Sequence, residues 1–137
     1  MKVLLVDDEP FILQGLSVLI DWAAEGCEIV KMASNGKEAL LYLEDHEADL
    51  VITDIKMPVM SGLELLEQIR GRQISDAFFI ILSGYNDFSY AQKAIRYACM
   101  DYLVKPVQKE ALLELIRKAK SSLAVTEQNA ENERRMQ

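Results

Sequence analysis

Short apolar segments alternate along the chain with longer segments of helical periodicity. The short segments are rich in β-branched and aromatic residues and are nearly continuous, which predicts strands of a parallel sheet buried on both faces. The predicted strands are Val3–Val6, Cys27–Ala33, Leu50–Thr53, Phe78–Leu82 and Tyr102–Val104. Glu28 and Lys31 interrupt the second of them, so we expect that strand at an edge of the sheet.

An amphipathic helix is predicted after each strand. The first covers residues 10–23, and capping boxes at 35–38 and 61–64 start helices over about 36–45 and 62–71. Asp87 is expected to cap a fourth helix, and a fifth begins near Gln108. The fourth helix is predicted to face inward with Phe88, Ala91, Ile95 and Ala98. Five βα units in series predict an α/β fold, a three-layer sandwich with right-handed crossovers.

The 137 residues suffice for one domain. We place that domain at residues 1–121, because the apolar stripe of the last helix thins out from Ser121 onward. Residues 122–137 are interpreted as a polar helical extension or the start of a linker.

The charge balance narrows the possible partners. Fifteen Lys and Arg oppose 22 Asp and Glu, and this net charge of −7 disfavours direct nucleic acid binding.

The longest apolar run, Ala77–Leu82, is too short to span a membrane, and Asp7 and Asp8 interrupt the run that could have been a secretory signal. Cys27 and Cys99 lack the spacing of a metal site or an expected disulfide. A cytoplasmic location is therefore predicted.

Residues that can carry out phosphoryl chemistry follow four of the five predicted strands. They are Asp7 with Asp8, Asp54, Ser83 and Lys105. The carboxyl ends of parallel strands share one edge, so three carboxylates should converge there and repel one another unless a cation is bound. Oxygen ligands without nearby His or Cys favour Mg²⁺. Lys105 and Ser83 could bind a phosphate oxygen, and one carboxylate could attack phosphorus to form an acyl phosphate.

Four ordered motifs resemble the receiver domain of two-component response regulators. The motifs are Val6–Pro10, Ile52–Pro58, Ile81–Gly84 and Asp101–Pro106. The resemblance covers residues 2 to about 121 and implies a flavodoxin-like fold with strand order 2-1-3-4-5. It also implies that Asp54 is the phosphoacceptor.

The same resemblance implies a role for each residue around Asp54. Mg²⁺ would be held by Asp8, Asp54 and the backbone carbonyl of Lys56, with Asp7 acting through water or as a second acid. Ser83 and Lys105 would bind the phosphoryl group, and the peptide bond before Pro106 would be cis. Tyr102 matches the aromatic residue that turns inward on activation. Ser83 stands where threonine is commoner, which keeps the hydroxyl and loses a methyl group.

The implied function is signalling. A sensor histidine kinase would phosphorylate Asp54, and the domain would catalyse only its own phosphorylation and dephosphorylation while switching a transcriptional output. Residues 83–92 further resemble regulators with an AraC-type helix-turn-helix output domain. If the chain is a fragment of such a regulator, its own C-terminal DNA-binding domain is a further partner.

Three other functions fit the sequence less well. A flavodoxin-like cofactor-binding domain would need hydroxyl and glycine donors in the first loop, where this chain has Asp7, Asp8 and Glu9. A phosphatase of the haloacid-dehalogenase type would need a D-x-D pattern there. An interaction-only pseudo-receiver usually lacks one of the pocket residues, and here all are present.

Phosphorylation is also expected to favour a homodimer. The surface concerned, which we call the α4–β5–α5 face, is formed by the fourth helix, the fifth strand and the last helix. Its charged residues are of both signs and could pair across a two-fold axis. They are Lys93, Arg96, Asp101, Glu114 and Lys118.

Overall fold

One parallel five-stranded sheet forms the centre of the molecule. The computed structural model describes residues 1–84 and 88–135. The strands are β1 (Lys2–Val6), β2 (Glu28–Ala33), β3 (Leu50–Asp54), β4 (Phe78–Ser83) and β5 (Asp101–Val104). They pair in the order β2-β1-β3-β4-β5. The predicted fold class and strand order are confirmed, with β2 at an edge.

A helix follows each strand. The helices are α1 (Pro10–Leu19), α2 (Gly36–Asp45), α3 (Gly62–Gly71), α4 (Phe88–Arg96) and α5 (Lys109–Arg135). The two capping boxes fix two of these starts, because Asn35 accepts a hydrogen bond from the Glu38 amide and Ser61 accepts one from the Glu64 amide. Both helices therefore begin and end where the sequence predicts.

Alternate strand residues enter two separate cores. On β3, Val51 packs with side chains from α2 and α3, whereas Leu50 and Ile52 pack with side chains from α1 and α5. The period of two along a strand places successive side chains on opposite faces of the sheet. The sheet is therefore covered by α1 and α5 on one face and by α2, α3 and α4 on the other.

The first helix is shorter than its periodicity predicts. It ends at Leu19, and Ile20 is already extended. The buried indole of Trp22 turns back and donates a hydrogen bond to the Leu16 carbonyl over 3.0 Å, so a side chain satisfies one of the last helical carbonyls. Ala23, the last residue of the predicted helix, is exposed.

The prediction of which α4 residues face inward is also wrong for the residues whose side chains the structure describes. Among the α4 side chains that the structure describes, Ala94 is buried and Ile95 is 55% exposed. Ala98 lies beyond the end of the helix with φ of 60°, so the predicted stripe runs past the point where helical geometry stops. The predicted cap at Asp87 and the side chains of Phe88 and Ala91 lie outside the described residues.

The last helix is continuous from Lys109 to Arg135. Over residues 109–125, whose side chains the structure describes, the buried ones are Leu112, Leu115, Ile116 and Ala119. The predicted boundary at 121 thus falls within a helix. Within the described part of the chain, every helix is too short or too polar to cross a bilayer.

Candidate functional site

The carboxyl ends of the strands bring the predicted site residues to one edge of the sheet. Asp7 follows β1, Asp54 ends the central strand β3, Ser83 ends β4, and Lys105 follows β5. Backbone hydrogen bonds tie neighbouring strand ends together, including one from the Lys105 amide to the Ser83 carbonyl over 2.8 Å. The parallel arrangement therefore gathers residues that are about 100 positions apart in sequence.

Lys105 bridges the two buried carboxylates. Its Nζ lies 2.9 Å from Asp54 Oδ2 and 3.3 Å from Asp7 Oδ2. Burial lowers the pKa of the Lys105 ammonium, but the hydrogen bond and charge of Asp54 and the charge of Asp7 outweigh burial and raise that pKa overall. The ammonium therefore stays protonated and can neutralise part of the negative charge.

Asp7 is fully buried beside another acid. The pKa of its carboxyl is raised to about 6, mainly because burial disfavours the charged form. Asp54 contributes to this rise, and the Glu9 amide and Lys105 oppose it. The Glu9 amide donates to Asp7 Oδ1 over 2.9 Å, whereas Oδ2 accepts no hydrogen bond of good geometry. A buried carboxylate oxygen without a well-formed hydrogen bond is suited to bind a cation.

Asp8 completes a group of three acids. One oxygen from each of Asp7, Asp8 and Asp54 lies within 4.8 Å of the others, and Asp8 alone of the three is exposed. Carboxylate oxygens in such a group are hard ligands, which suit Mg²⁺ and not Zn²⁺. The cluster could therefore bind a metal ion from the solvent side.

The remaining predicted residues lie at or near the carboxyl ends of β3, β4 and β5. Ser83 is 3% exposed, Tyr102 is half-buried against the α2–α3–α4 side of the sheet, and Lys56 is exposed two residues after Asp54. The peptide bond between Lys105 and Pro106 is cis.

Two residues beside Asp54 were not identified as site residues in the sequence. The hydroxyl of buried Thr53 donates to the Asp54 carbonyl over 3.0 Å. At Gly62 an added Cβ would overlap that same carbonyl oxygen, so only glycine lets the start of α3 approach this closely. In the sequence, Thr53 looks like an ordinary β-branched strand residue. The capping box is the only sequence pattern that marks the position of Gly62.

The sequence matches a known protein family and individual members of it. Residues 3–117 match the response regulator receiver domain family. The chain is 39% identical over 112 residues to the transcriptional regulatory protein YesN of Bacillus subtilis, covering 82% of this chain and 30% of YesN. It is 42% identical over 115 residues to the transcriptional regulatory protein HptR of Staphylococcus aureus strain N315, covering 84% of this chain and 44% of HptR.

Solved structures agree with the sequence relatives. The REC domain of AraT, a response regulator from Geobacillus stearothermophilus, superposes with a TM-score of 0.85 at 39% identity, covering 92% of this chain and 97% of that REC-domain chain. The two component transcriptional regulator AraC from Clostridium phytofermentans superposes with a TM-score of 0.81 at 28% identity, covering 90% of this chain and 95% of that one. This chain spans less than half the length of YesN and HptR. By sequence, fold and the acids at its strand ends, the chain belongs to the response regulator receiver domains.

Proposed function

We propose that Asp54 is the residue on which this receiver domain accepts a phosphoryl group from a sensor histidine kinase. Phosphorylation by a kinase is the general function of the family to which the chain belongs. The observation that carries the assignment is the environment of Asp54, whose carboxylate lies at the end of the central strand, 2.9 Å from Lys105 Nζ and beside Asp7 and Asp8.

The transfer is a simple displacement at phosphorus. An oxygen of the Asp54 carboxylate attacks the phosphorus of a phosphohistidine, a P–O bond forms, and the P–N bond breaks with its electron pair remaining on the imidazole. Lys105 is placed to bind a phosphoryl oxygen as a mobile point charge, and the Ser83 hydroxyl is the candidate second donor. The product is an aspartyl phosphate.

Mg²⁺ is the proposed cofactor. Asp7, Asp8 and Asp54 offer an all-oxygen ligand set, and the resemblance to other receivers adds the backbone carbonyl of Lys56. The buried Asp7 Oδ2, which lacks a good hydrogen bond, supports this fit. When bound, the ion would supply positive charge that offsets repulsion between the carboxylates and the phosphoryl oxygens.

The domain is a signalling protein, and we propose that its catalysis is limited to its own phosphoryl group. Hydrolysis would reverse the state: water attacks phosphorus, the bond to the Asp54 oxygen breaks, and carboxylate and inorganic phosphate are released. The aspartyl phosphate carries more negative charge than the carboxylate, so Ser83 and Lys105 are drawn toward it and Tyr102 turns inward.

The proposed outcome is control of transcription. YesN and HptR are transcriptional regulatory proteins more than twice as long as the matched region, and AraC from Clostridium phytofermentans is a transcriptional regulator of similar fold. These likenesses support an AraC-type DNA-binding output domain in the full regulator. A phosphorylation-favoured homodimer would form through the α4–β5–α5 face. The free thiols of Cys27 and Cys99 fit a cytoplasmic location.

Phosphorylation with a small phosphodonor tests the assignment directly. We expect phosphoramidate and Mg²⁺ to add one phosphoryl group by intact mass, and Asp54→Asn to abolish this gain. Excess chelator should also abolish it. Asp8→Ala should weaken Mg²⁺ binding, so that more Mg²⁺ is needed for the same rate, without unfolding the protein, because Asp8 is exposed. A wild-type rate in Asp54→Asn would refute the phosphoacceptor, and a wild-type protein that gains no mass would favour the interaction-only alternative.

A further inference from the structure

Thr53 is a buried polar residue that the phosphoryl chemistry does not use. The buried polar or charged residues in the described ranges are Asp7, Thr53, Asp54 and Ser83, and the other three belong to the proposed site. Thr53 is fully buried on β3, directly before the phosphoacceptor. A buried hydroxyl is retained at little cost only when it makes a hydrogen bond, so the partner of this one is informative.

The hydroxyl holds one side of the peptide unit that follows Asp54. Thr53 Oγ1 donates to the Asp54 carbonyl oxygen over 3.0 Å. On the other side of the same unit, the Ile55 amide lies 2.7 Å from Asp54 Oδ1 and 3.2 Å from the Leu82 carbonyl. Because a peptide unit is planar, its carbonyl cannot rotate without turning its amide as well.

The amide in turn orients the carboxylate. With Oδ1 held by the Ile55 amide, the other oxygen, Oδ2, lies 2.9 Å from Lys105 Nζ. The start of α3 packs against the same part of β3. The Gly62 amide donates to the Ile55 carbonyl over 2.9 Å, and a Cβ on Gly62 would lie 3.1 Å from Thr53 Oγ1. The Thr53 hydroxyl and the Asp54 carboxylate thus hydrogen-bond to the two polar groups of one peptide unit.

We propose that Thr53 is a positioning residue for the phosphoacceptor: its hydroxyl fixes the Asp54–Ile55 peptide unit so that the Ile55 amide holds one carboxylate oxygen and Lys105 the other. The inference rests on the function proposed for Asp54. The competing explanation is that a β-branched residue is simply favoured in a strand. Valine has the same shape without the hydroxyl and would then serve equally well, so the two explanations predict different outcomes for one substitution.

Thr53→Val separates them when compared with Thr53→Ser. At saturating phosphoramidate and Mg²⁺, we expect Thr53→Val to be phosphorylated about tenfold more slowly, the rate equivalent of one lost hydrogen bond. The phosphoramidate concentration for half-maximal rate should stay unchanged, because Thr53 does not contact the donor. Thr53→Ser keeps the hydroxyl and should stay within about twofold of the wild-type rate.

A spectroscopic readout reports the geometry itself. In the unphosphorylated protein, the NMR amide proton of Ile55 should move upfield and exchange faster in Thr53→Val, and should stay near its wild-type position in Thr53→Ser. Val51→Ala is the matched control, since it removes buried volume from the same face of β3 and should leave both readouts unchanged. If Thr53→Val does not fold, the pair Thr53→Ala and Thr53→Ser isolates the hydroxyl in the same way.

The outcomes separate this inference from the function on which it rests. A wild-type protein that phosphoramidate does not phosphorylate contradicts the proposed function, and the positioning role with it. A wild-type protein that is phosphorylated, with either the rate or the Ile55 amide unchanged in Thr53→Val, contradicts only the role of Thr53. Both readouts changed in Thr53→Val and kept in Thr53→Ser support it.

Discussion

At the scale of single residues, the buried carboxyl of Asp7 is held under electrostatic strain. It is fully buried and faces Asp54 as well as Lys105, and burial raises its pKa from 3.8 to about 6. The folded protein therefore binds a proton at Asp7 more readily than the unfolded chain does. The contribution of Asp7 to the free energy of unfolding is therefore fully present below about pH 4 and is lost as the pH rises through about 6.

Asp7→Asn should remove this pH dependence. In metal-free protein at pH 7.5, we expect the variant to exceed the wild type by roughly 1–2 kcal/mol in free energy of unfolding, because each unit of pKa shift is worth about 1.4 kcal/mol and water at the cleft screens part of it. The gain should disappear below pH 4. Urea unfolding of both proteins from pH 4 to pH 8 measures the difference, and a difference independent of pH would contradict the assignment to Asp7.

Binding of Mg²⁺ should reduce the stability advantage of Asp7→Asn over the wild type. A cation in the cluster stabilises the ionised Asp7, so the wild type should gain more stability from Mg²⁺ at pH 7.5 than Asp7→Asn does. The wild-type gain should shrink below pH 6, where Asp7 takes up a proton.

At the scale of elements, Arg70 joins α3 to the segments that lead into β4 and β5. Its guanidinium donates to the carbonyls of Ser75, Ala77 and Ala98 over 3.2, 2.8 and 3.4 Å and lies 5.3 Å from the centre of the Phe79 ring. Burial lowers the pKa of Arg70, yet it remains charged because arginine is a very strong base. One side chain thus satisfies carbonyls in two connections.

Arg70→Met should destabilise the domain by about 2 kcal/mol, since it leaves partly buried carbonyls without a charged donor. Arg70→Lys should recover little of this, because one ammonium cannot reproduce the planar fork of the guanidinium. Urea unfolding with two-state analysis measures each loss.

Arg72→Met is the matched control for this prediction. Arg72 lies two residues further on, is about half exposed, and pairs with Glu44 at 3.5 Å. Exposed ion pairs contribute about 0–1 kcal/mol, so this variant should lose much less than Arg70→Met. Equal losses in the two variants would refute the bridging role of Arg70.

At the scale of the whole molecule, apolar side chains lie on the α4–β5–α5 face. Ile95 on α4 is 55% exposed and Val104 on the edge strand β5 is 48% exposed, and Tyr97 is exposed between these two elements. Lys118 and Asp101 form an ion pair on the same face at 3.9 Å, and Arg96 and Glu114 are exposed. Apolar and charged groups together form a surface of the kind that proteins bury on association.

Sedimentation with and without beryllofluoride, a mimic of the phosphoryl group, tests the homodimer. We expect monomer without the mimic and a shift toward dimer with it, in the presence of Mg²⁺. Ile95→Glu should prevent the shift by placing a charge in the interface, whereas Leu41→Glu on α2, which is 52% exposed, should leave it unchanged. Monomer in both states at high concentration would contradict the dimer, and equal loss of dimer in both variants would contradict the choice of face.

The sequence by itself determined the fold class, the order of elements and the residues at the strand ends. Strands such as β3 and β4 are continuous and apolar because both faces are covered, and the capping boxes at Asn35 and Ser61 are local signals that need no tertiary information. The four strand-end motifs likewise made the family identifiable without tertiary information. The chemistry depends on residue type at each strand end, and residue type is what a sequence records.

Tertiary structure decided what depends on contacts between distant segments. The Trp22 indole folds back onto Leu16 at the end of α1. Helix α4 ends at Arg96, shortly before Ala98, whose φ is positive and whose carbonyl accepts a hydrogen bond from Arg70. The environment of Thr53 exists only where β3 meets the start of α3. Helical periodicity and strand propensity report the preferences of neighbouring residues. These features depend instead on which backbone groups still need a hydrogen-bond partner once the sheet and helices have packed together.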